Sequence, residues 1–359
     1  RARLRIVDGV PVVRLTGTPY EMGRQHGAIL KPQIHFLYRE YFEKFPVALL
    51  GRATLQEWAE ACKPHIPAHY IEEMRGLADG AGLPFDDVLL ASTMLDRYQH
   101  AMCSTVVASG DATADGDVYF GRNLDFPGRG LLHRMTVVLV FEPEGGTPLA
   151  SVTWPGVIGV LSGMNAHGVS GATMLIRRGP TPRPGVPYLL MYRDALSGAT
   201  DAKGVFDAIA AARRTCTNNF MVVDAEGAAH VIEWTPETAV ARPAEGGTLC
   251  STNHFRSDAL EGTGQVIGES RYQRLDLFLR TERGKIDAGR VKSALEEVAT
   301  PWFNNVQSMI FLPRRKGMLV SVGGELPAAK QAFVTLDKDV LMGAAAPGGR
   351  WGAGGAAAG

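Results

Sequence analysis

Residues 103–126 constrain the fold more than any other stretch of the chain. Two runs rich in β-branched and aromatic residues flank a segment that contains Gly, Asp and Ala, with a turn at Asp115-Gly116-Asp117, a pattern that predicts a β-hairpin. The hairpin would bring Cys103, at the start of the first strand, near Arg122 and Asp125, at the end of the second. A thiol beside a guanidinium and a carboxylate is a candidate nucleophile, because a nearby cation lowers the thiol pKa and the thiolate is the reactive form.

Each of these residues also has an ordinary structural interpretation. A free cysteine is most often a small buried apolar residue. Arg122 can belong to a turn, and Asp125 can cap the loop before Pro127. The spacing alone leaves both interpretations open.

The sequence pattern changes at the bond between Met102 and Cys103, from mainly helical upstream to strand-rich downstream. This is the change that a precursor cut at that bond would show.

Asn218 and Asn219, beside a predicted strand, are interpreted as capping residues. Helices are predicted at residues 32–46, 55–79, 188–212 (restarting at Asp201) and 287–298, and strands at 1–15, 136–141, 149–154, 157–161, 169–176, 219–223, 229–234, 308–312 and 318–322.

A further helix is predicted to begin at Pro19. Thr18 is its N-cap, Pro19 occupies the first position, and Glu21 completes a capping box. Gly23 and Gly27 lie four residues apart on one face of this helix, which favours close packing against another element.

Charge and cysteine spacing exclude several classes of protein. The 37 basic and 37 acidic residues balance, so neither nucleic acid nor an anionic membrane is indicated as a partner. No apolar run approaches the roughly 18 residues of a membrane span. The chain begins at Arg1, so a removed export signal to the periplasm or medium is compatible with it; otherwise a cytoplasmic location is expected. Four widely spaced cysteines argue against a zinc site and a dense disulfide scaffold, leaving one disulfide open: Cys62, Cys103, Cys216 and Cys250.

Several motifs together resemble one enzyme family. Cys103-Ser104-Thr105, followed about twenty residues later by Gly121-Arg122-Asn123-Leu124-Asp125-Phe126, resembles the start of the β chain in a family of N-terminal-nucleophile (Ntn) hydrolases. These are the autoproteolytic acyltransferase/hydrolases related to penicillin acyltransferase. Acid ceramidase, bile salt hydrolase and penicillin V acylase are more distant relatives. Residues 17–27, 75–89 and 163–168 also resemble family segments, so the resemblance extends over most of the chain.

The resemblance implies an α+β fold, the four-layer αββα Ntn-hydrolase sandwich. It divides one intertwined domain into a helical α chain or pro-segment (1–102), a catalytic β chain (103–343) and a disordered tail (344–359). It also implies self-cleavage between Met102 and Cys103, which would free the α-amino group of Cys103 as a general base with a pKa near 7.7–8. One departure is that the best-known self-cleaving relatives carry Gly where this chain has Met102.

The same resemblance assigns the remaining site residues. The Thr-Asn-His-Phe motif implies that Asn253 helps form the oxyanion hole. A Ser-Arg motif implies that Arg271 lies near the nucleophile and lowers its pKa, although Arg274, one helical turn on, is an alternative. Arg122 and Asp125 would position the amine and the thiol. No metal or organic cofactor is implied.

The implied function is hydrolysis of the linear amide bond of a small-molecule N-acyl substrate through an acyl-enzyme on Cys103. Acyl transfer to an amine is the alternative within the class. A non-catalytic αββα binding protein is another alternative, and so is an intact-chain hydrolase that pairs the cysteine with His26, His133 or His254. The α and β chains of one precursor are the expected partners, and a homo-oligomer is left open. The substrate is not indicated, and the candidates for its pocket are Phe126, Trp154 and Met164.

Overall fold

A computed structural model describes residues 3–98, 101–300 and 305–343. The predicted tail, 344–359, lies outside these ranges. In the described residues two sheets are present, one of nine strands and one of six. The strands are β1 (Arg3–Val7), β2 (Val10–Gly17), β3 (Met102–Gly110), β4 (Gly116–Asp125), β5 (Val137–Pro143), β6 (Leu149–Thr153), β7 (Ser162–Asn165), β8 (Ser170–Leu175), β9 (Asn218–Val223), β10 (Ala229–Trp234), β11 (Ala239–Pro243), β12 (Thr248–Ser251), β13 (Asn305–Leu312), β14 (Gly317–Val322) and β15 (Val334–Leu336).

Helices precede the hairpin and cover both sheets. They are α1 (Pro19–Ile29), α2 (Lys31–Leu37), α3 (Ala48–Leu50), α4 (Arg52–Cys62), α5 (Ala68–Ala81), α6 (Phe85–Thr93), α7 (Tyr188–Gly198), α8 (Ala202–Ala211), α9 (Glu269–Thr281), α10 (Ala288–Val298) and α11 (Lys338–Leu341). In the described residues, no helix is both long enough and apolar enough to cross a lipid bilayer.

The two sheets pack face to face. The larger has the strand order β1-β2-β5-β6-β7-β8-β9-β10-β11 and the smaller β12-β3-β4-β13-β14-β15. Helices α7 and α8 pack on the larger sheet, and α9 and α10 pack on the smaller sheet. The two sheets contact each other through β3 of the smaller and β8 of the larger. The predicted αββα sandwich of class α+β is therefore confirmed.

The residues upstream of Cys103 are built into this sandwich. Strand β2 pairs in parallel with β5, so the first strands of the chain extend the larger sheet. Helices α1 and α5 pack backbone against backbone, because glycines face each other at the contact: a Cβ on Gly23 would lie 1.9 Å from the Glu73 oxygen, and one on Gly76 would lie 2.0 Å from the Tyr20 oxygen. The close packing and the Thr18 capping box are both as predicted.

Some predicted elements are wrong in detail. The helix predicted at 55–79 breaks at Lys63–His65, since Pro64 and Pro67 interrupt it. The helix predicted at 32–46 continues from α2 into a π-helical segment, Tyr38–Val47. The strand predicted at 157–161 is an irregular loop. Its backbone groups bond to several elements, since the Val160 N–H donates to the Leu189 carbonyl of α7 and the Leu161 carbonyl accepts from the Thr173 N–H of β8.

Candidate active site

The predicted hairpin is formed by β3 and β4, and its two faces meet different layers. On the inner face, the Thr105 hydroxyl contacts Met174 of the opposite sheet. On the outer face, Asn123 donates to the Leu295 carbonyl of α10. Because side chains alternate along a strand, Cys103 shares the inner face with Thr105, where it is fully buried in the core between the sheets. The cross-strand partner of Met102 is Asp125, on the outer face.

Asn253 contacts the backbone of the candidate nucleophile. It follows β12, the strand that pairs with β3. Its Oδ1 accepts a hydrogen bond of 2.7 Å from the Cys103 N–H, and its Nδ2 donates to the Leu175 carbonyl at 2.8 Å. In this uncut chain the amide oxygen of Asn253, and not its NH₂ group, faces Cys103. The oxyanion-hole role of Asn253 stays a prediction.

Arg271 links the nucleophile to Asn253. It lies in the first turn of α9, largely buried. Its Nη1 donates to the Cys103 carbonyl at 2.6 Å and to the Ser104 hydroxyl at 2.7 Å, and its Nη2 donates to Asn253 Oδ1 at 3.0 Å. Burial lowers the pKa of Arg271, while Asp125 and Cys103 raise it. Arg274, the alternative, is exposed and reaches the Glu297 carbonyl.

Asp125 is a buried carboxylate on the outer face of the hairpin. Its Oδ1 accepts a hydrogen bond of 2.9 Å from Asn305. Burial raises its pKa to about 6, and the charge of Arg271 is the largest effect that opposes this rise, followed by Asn305, Thr300 and Arg122. The Asp125 carboxyl therefore holds its proton up to a higher pH than an exposed aspartate does.

Arg122 lies on the inner face with Cys103 and is fully buried. Its Nε donates to the Ser162 hydroxyl of β7 at 3.0 Å, and its Nη1 donates to the Asn123 carbonyl. Among the described residues no carboxylate lies within 4.0 Å of this guanidinium. Arg122 is therefore a buried cation between the sheets, separated by the plane of the hairpin from the Asp125 carboxylate.

Four residues that hold this arrangement were not assigned to the site from the sequence: Ser104, Ser162, Asn219 and Asn305. Asn219 does not cap a strand as predicted, because it lies within β9 and its Nδ2 donates to the Thr252 and His254 carbonyls at 3.1 and 2.9 Å, on either side of Asn253. These partners are distant in sequence, so only the two adjacent asparagines gave a local signal.

The three candidate histidines contact other groups. His26 is fully buried, and its Nε2 accepts a hydrogen bond from the Gly156 N–H at 2.9 Å; burial lowers its pKa to about 3. His254 lies 3.0 Å from Glu269, and His133 lies in a turn, Leu132–Met135. Within the described ranges, no hydrogen bond or ion pair joins any of the three to Cys103.

Two cavities are lined by direct chain neighbours of site residues, one by Met102 and one by Phe126, and Cys103 itself lines neither. One, of about 350 Å³, lies beside Met102 and is lined by Arg271, Arg274 and Thr300. The other, of about 120 Å³, lies between the upstream helices and the loop at 154–159. Phe126 and Trp154 line the second cavity as predicted, whereas Met164 does not.

The second cavity is apolar. Apart from Asp87 and Ser92, it is lined by aliphatic and aromatic side chains, proline and glycine. Phe126, which follows Asp125 directly, is part of its wall. An apolar wall of this kind is typical of a site for a hydrocarbon group.

In the described part of the chain, no three His, Cys, Asp or Glu side chains are grouped to hold a metal ion. All four cysteines lie in that part, and each has a buried free thiol.

Comparison with known proteins places the chain in a family. Residues 112–318, more than half of the chain, match the family model described as acyl-coenzyme A:6-aminopenicillanic acid acyl-transferase. The chain belongs to this family. Arg122, Asp125, Asn253 and Arg271 lie within the matched residues, and Cys103 lies just upstream of them. Members of this acyl-transferase family are Ntn acyltransferases and amidases, which supports amide hydrolysis or acyl transfer as the general reaction class.

This member of the acyl-transferase family is also similar to several individual proteins. Protein dcd1A of Dictyostelium discoideum is 24% identical over an alignment of 382 positions, which covers 91% of this chain and 85% of that protein. The N-acylethanolamine-hydrolyzing acid amidase of Oryctolagus cuniculus is 30% identical over 116 residues, 32% of this chain and 31% of the amidase. The structure of a Caenorhabditis elegans ortholog of that amidase matches 59% of this chain and 93% of its own, with 20% identity and a TM-score of 0.45.

Proposed function

We propose that this protein is a self-processing cysteine amidase. It cuts its own chain between Met102 and Cys103, and the new N-terminal cysteine then hydrolyses the amide bond of an N-acyl substrate. The observation that carries the proposal is the set of contacts around Cys103: Asn253 holds its N–H, and Arg271 holds its carbonyl. Both atoms flanking the Cα of Cys103 are thereby fixed.

Self-cleavage proceeds through a thioester. The Cys103 sulfur attacks the Met102 carbonyl carbon, the C–N bond breaks, and the proton of the thiol passes to the released nitrogen. Water, with access from the cavity beside Met102, then hydrolyses the thioester to the Met102 carboxylate and the free thiol. The nitrogen is now an α-amine with a pKa near 7.7–8, so its neutral form can act as a general base near neutral pH.

In the mature enzyme the same groups serve the substrate. The amine takes the thiol proton, the thiolate attacks the substrate carbonyl, and the amine of the substrate leaves with that proton. Asn253, whose oxygen faces the Cys103 nitrogen before cleavage, keeps this amine in place as a hydrogen-bond acceptor. Water then releases the acyl group as a carboxylate.

We further propose that the acyl group is a hydrocarbon chain. The apolar cavity beside Phe126 supports this, since it offers few polar partners to any other kind of acyl group. The amidase of Oryctolagus cuniculus, by its name, hydrolyses N-acylethanolamines, and an N-acylethanolamine is therefore the first substrate to test.

The decisive experiment is the intact mass of the purified protein beside that of Cys103→Ala. Two fragments whose masses sum to the chain plus one water, with a single uncut Cys103→Ala chain, are expected. One uncut mass for both proteins contradicts self-processing. Release of fatty acid from N-palmitoylethanolamine by the cut protein, and not by Cys103→Ala, tests the amidase activity.

A further inference from the structure

Asn305 is fully enclosed beside the Asp125 carboxylate. It is the first residue of β13, and its register partner on β4 is Asp125. The pairing shifts between Asn305 and Gln307, so a local irregularity sets the direction of the Asn305 side chain. The residue is 1% exposed.

The side-chain amide of Asn305 is held at both ends. Its Oδ1 accepts a hydrogen bond of 2.9 Å from the Ala329 N–H, and its Nδ2 donates to Asp125 Oδ1 at 2.9 Å. A backbone N–H can only donate, so it dictates that the oxygen faces Ala329 and the NH₂ faces the carboxylate. Only a group that both accepts and donates in this geometry satisfies the two partners.

We propose that Asn305 is a positioning residue for the reaction at Cys103, which holds the Asp125 carboxylate in one orientation opposite the Met102–Cys103 bond. The proposal rests on the proposed function, because it takes Asp125 to act on that bond and on the amine it releases. A carboxylate there stabilises the protonated amine that forms when the bond breaks.

The charged groups around Asp125 make the role of Asn305 measurable. Arg271 approaches the carboxylate from α9, Arg122 carries its charge on the opposite face of the same strand, and Thr300 and Asn305 are hydrogen-bonding neighbours. All four favour the ionised form against the effect of burial. Loss of the Asn305 donor removes one of them, so the carboxyl of Asp125 should bind its proton more tightly.

The test combines two variants with two measurements. Asn305→Ala removes the donor, and Asn305→Asp keeps the size but places a second carboxyl beside the first, so that the pair shares a proton. The rate of self-cleavage is followed against pH by intact mass. The titration of Asp125 is followed by ¹³C NMR in the uncut Cys103→Ala background, with Asp125→Asn to assign the signal.

We expect either folded variant to raise the Asp125 midpoint by at least about one pH unit and to move the acidic limb of the cleavage profile up equally, with cleavage at least about fivefold slower at pH 6. Asn165→Ala is the control, since Asn165 is an equally buried asparagine that bonds to the Leu196 and Ala199 carbonyls. It should leave both pH midpoints unchanged.

An unchanged Asp125 midpoint in a folded Asn305 variant overturns the proposal. If the wild-type chain is not cut at all, the proposed function fails. The NMR titration still decides the role of Asn305 in that case, because it needs no activity: a raised midpoint supports the positioning of Asp125, and an unchanged midpoint refutes it.

Discussion

The N–H of Cys103 donates to the side-chain oxygen of Asn253 at 2.7 Å, although the two residues are 150 positions apart in the chain. The nitrogen that would become the catalytic amine thus has its hydrogen-bond acceptor before any bond is cut. Arg271 contacts the same Asn253 oxygen, so that oxygen cannot turn away without losing both donors.

Asn253→Ala should slow self-cleavage about 10- to 100-fold. It removes the acceptor of the Cys103 N–H and leaves the Leu175 carbonyl without the Asn253 donor, and a lost buried hydrogen bond costs about 1–3 kcal/mol. The cut fraction is followed over time by intact mass, with the thermal midpoint of unfolding measured in parallel. Cleavage at the wild-type rate would show that Asn253 has no role in self-cleavage.

Replacing Arg271 by Lys should reduce self-cleavage at least about tenfold. Lysine cannot place two nitrogens on the Cys103 carbonyl, the Ser104 hydroxyl and Asn253 at once. Arg274→Lys is the matched control, since that residue is exposed one turn along the same helix, and it should cleave normally. The opposite pattern would make Arg274 the functional arginine.

Occupying the apolar cavity should shorten the acyl chain that the enzyme accepts. Ala91 of α6 lines the cavity, so Ala91→Leu should raise KM for N-palmitoylethanolamine several-fold and leave N-octanoylethanolamine little changed. Ala210→Leu, the same change on α8, serves as control. An equal effect on both substrates would show that the cavity does not hold the acyl chain.

The stability of the Asp96→Asn variant relative to wild type should rise with pH. Burial raises the pKa of Asp96 to about 7, against the Thr215 hydroxyl and the Tyr188 N–H, which lower it, whereas the unfolded value is about 3.9. The folded state therefore holds this proton more tightly, and the stabilisation is complete below about pH 4 and lost as the pH rises to about 7. An uncharged Asn avoids this loss.

Chemical denaturation at pH 5 and pH 8 measures this effect. The free energy of unfolding of Asp96→Asn minus that of wild type should be larger at pH 8 than at pH 5. The increase should be at most about 3 kcal/mol, at roughly 1.4 kcal/mol per pH unit. Buried His26, whose lowered pKa acts in the opposite direction, is present in both proteins and cancels. Asp86→Asn, an exposed carboxylate, should show no such trend; an equal trend there would refute the assignment to Asp96.

Gly76→Ala should strongly destabilise the fold. The new Cβ would lie 2.0 Å from the Tyr20 carbonyl oxygen, a backbone atom, so α1 and α5 would have to separate. Overpacking of this kind costs about 1–3 kcal/mol or more. Gly198→Ala is the control, because nothing lies within 4 Å of its added Cβ. Thermal unfolding of both variants compares them, and equal midpoints would mean that α1 and α5 can separate freely.

The sandwich was predicted from the resemblance of several short motifs to a known family, and so were Asn253 and Arg271. The hairpin was predicted from two runs rich in β-branched and aromatic residues on either side of the Asp-Gly turn. The structure brings Asn253 and Arg271 to the Cys103 backbone. Their chemical roles, and that of Cys103 itself, stay predictions.

What the sequence did not show depends on long-range pairing. Nothing near Asn305 indicates Asp125, because the two meet only when β13 pairs with β4. The run at 157–161 was misassigned because an apolar stretch is equally consistent with a strand or a buried loop. In the folded protein Arg193 of α7 donates to the Ile158 carbonyl at 2.6 Å, which helps to hold this run as a loop. No local sequence pattern predicts that contact.

The parallel pairing of β2 with β5 would hold the two fragments of a cut chain together. Residues on either side of the Met102–Cys103 bond share one continuous sheet, and the glycine contacts of α1 and α5 lie wholly upstream of it. A cut there would break the backbone but leave the two fragments packed in one fold. The two fragments would migrate as one particle in gel filtration, and only a denaturant would tell a processed molecule from an unprocessed one.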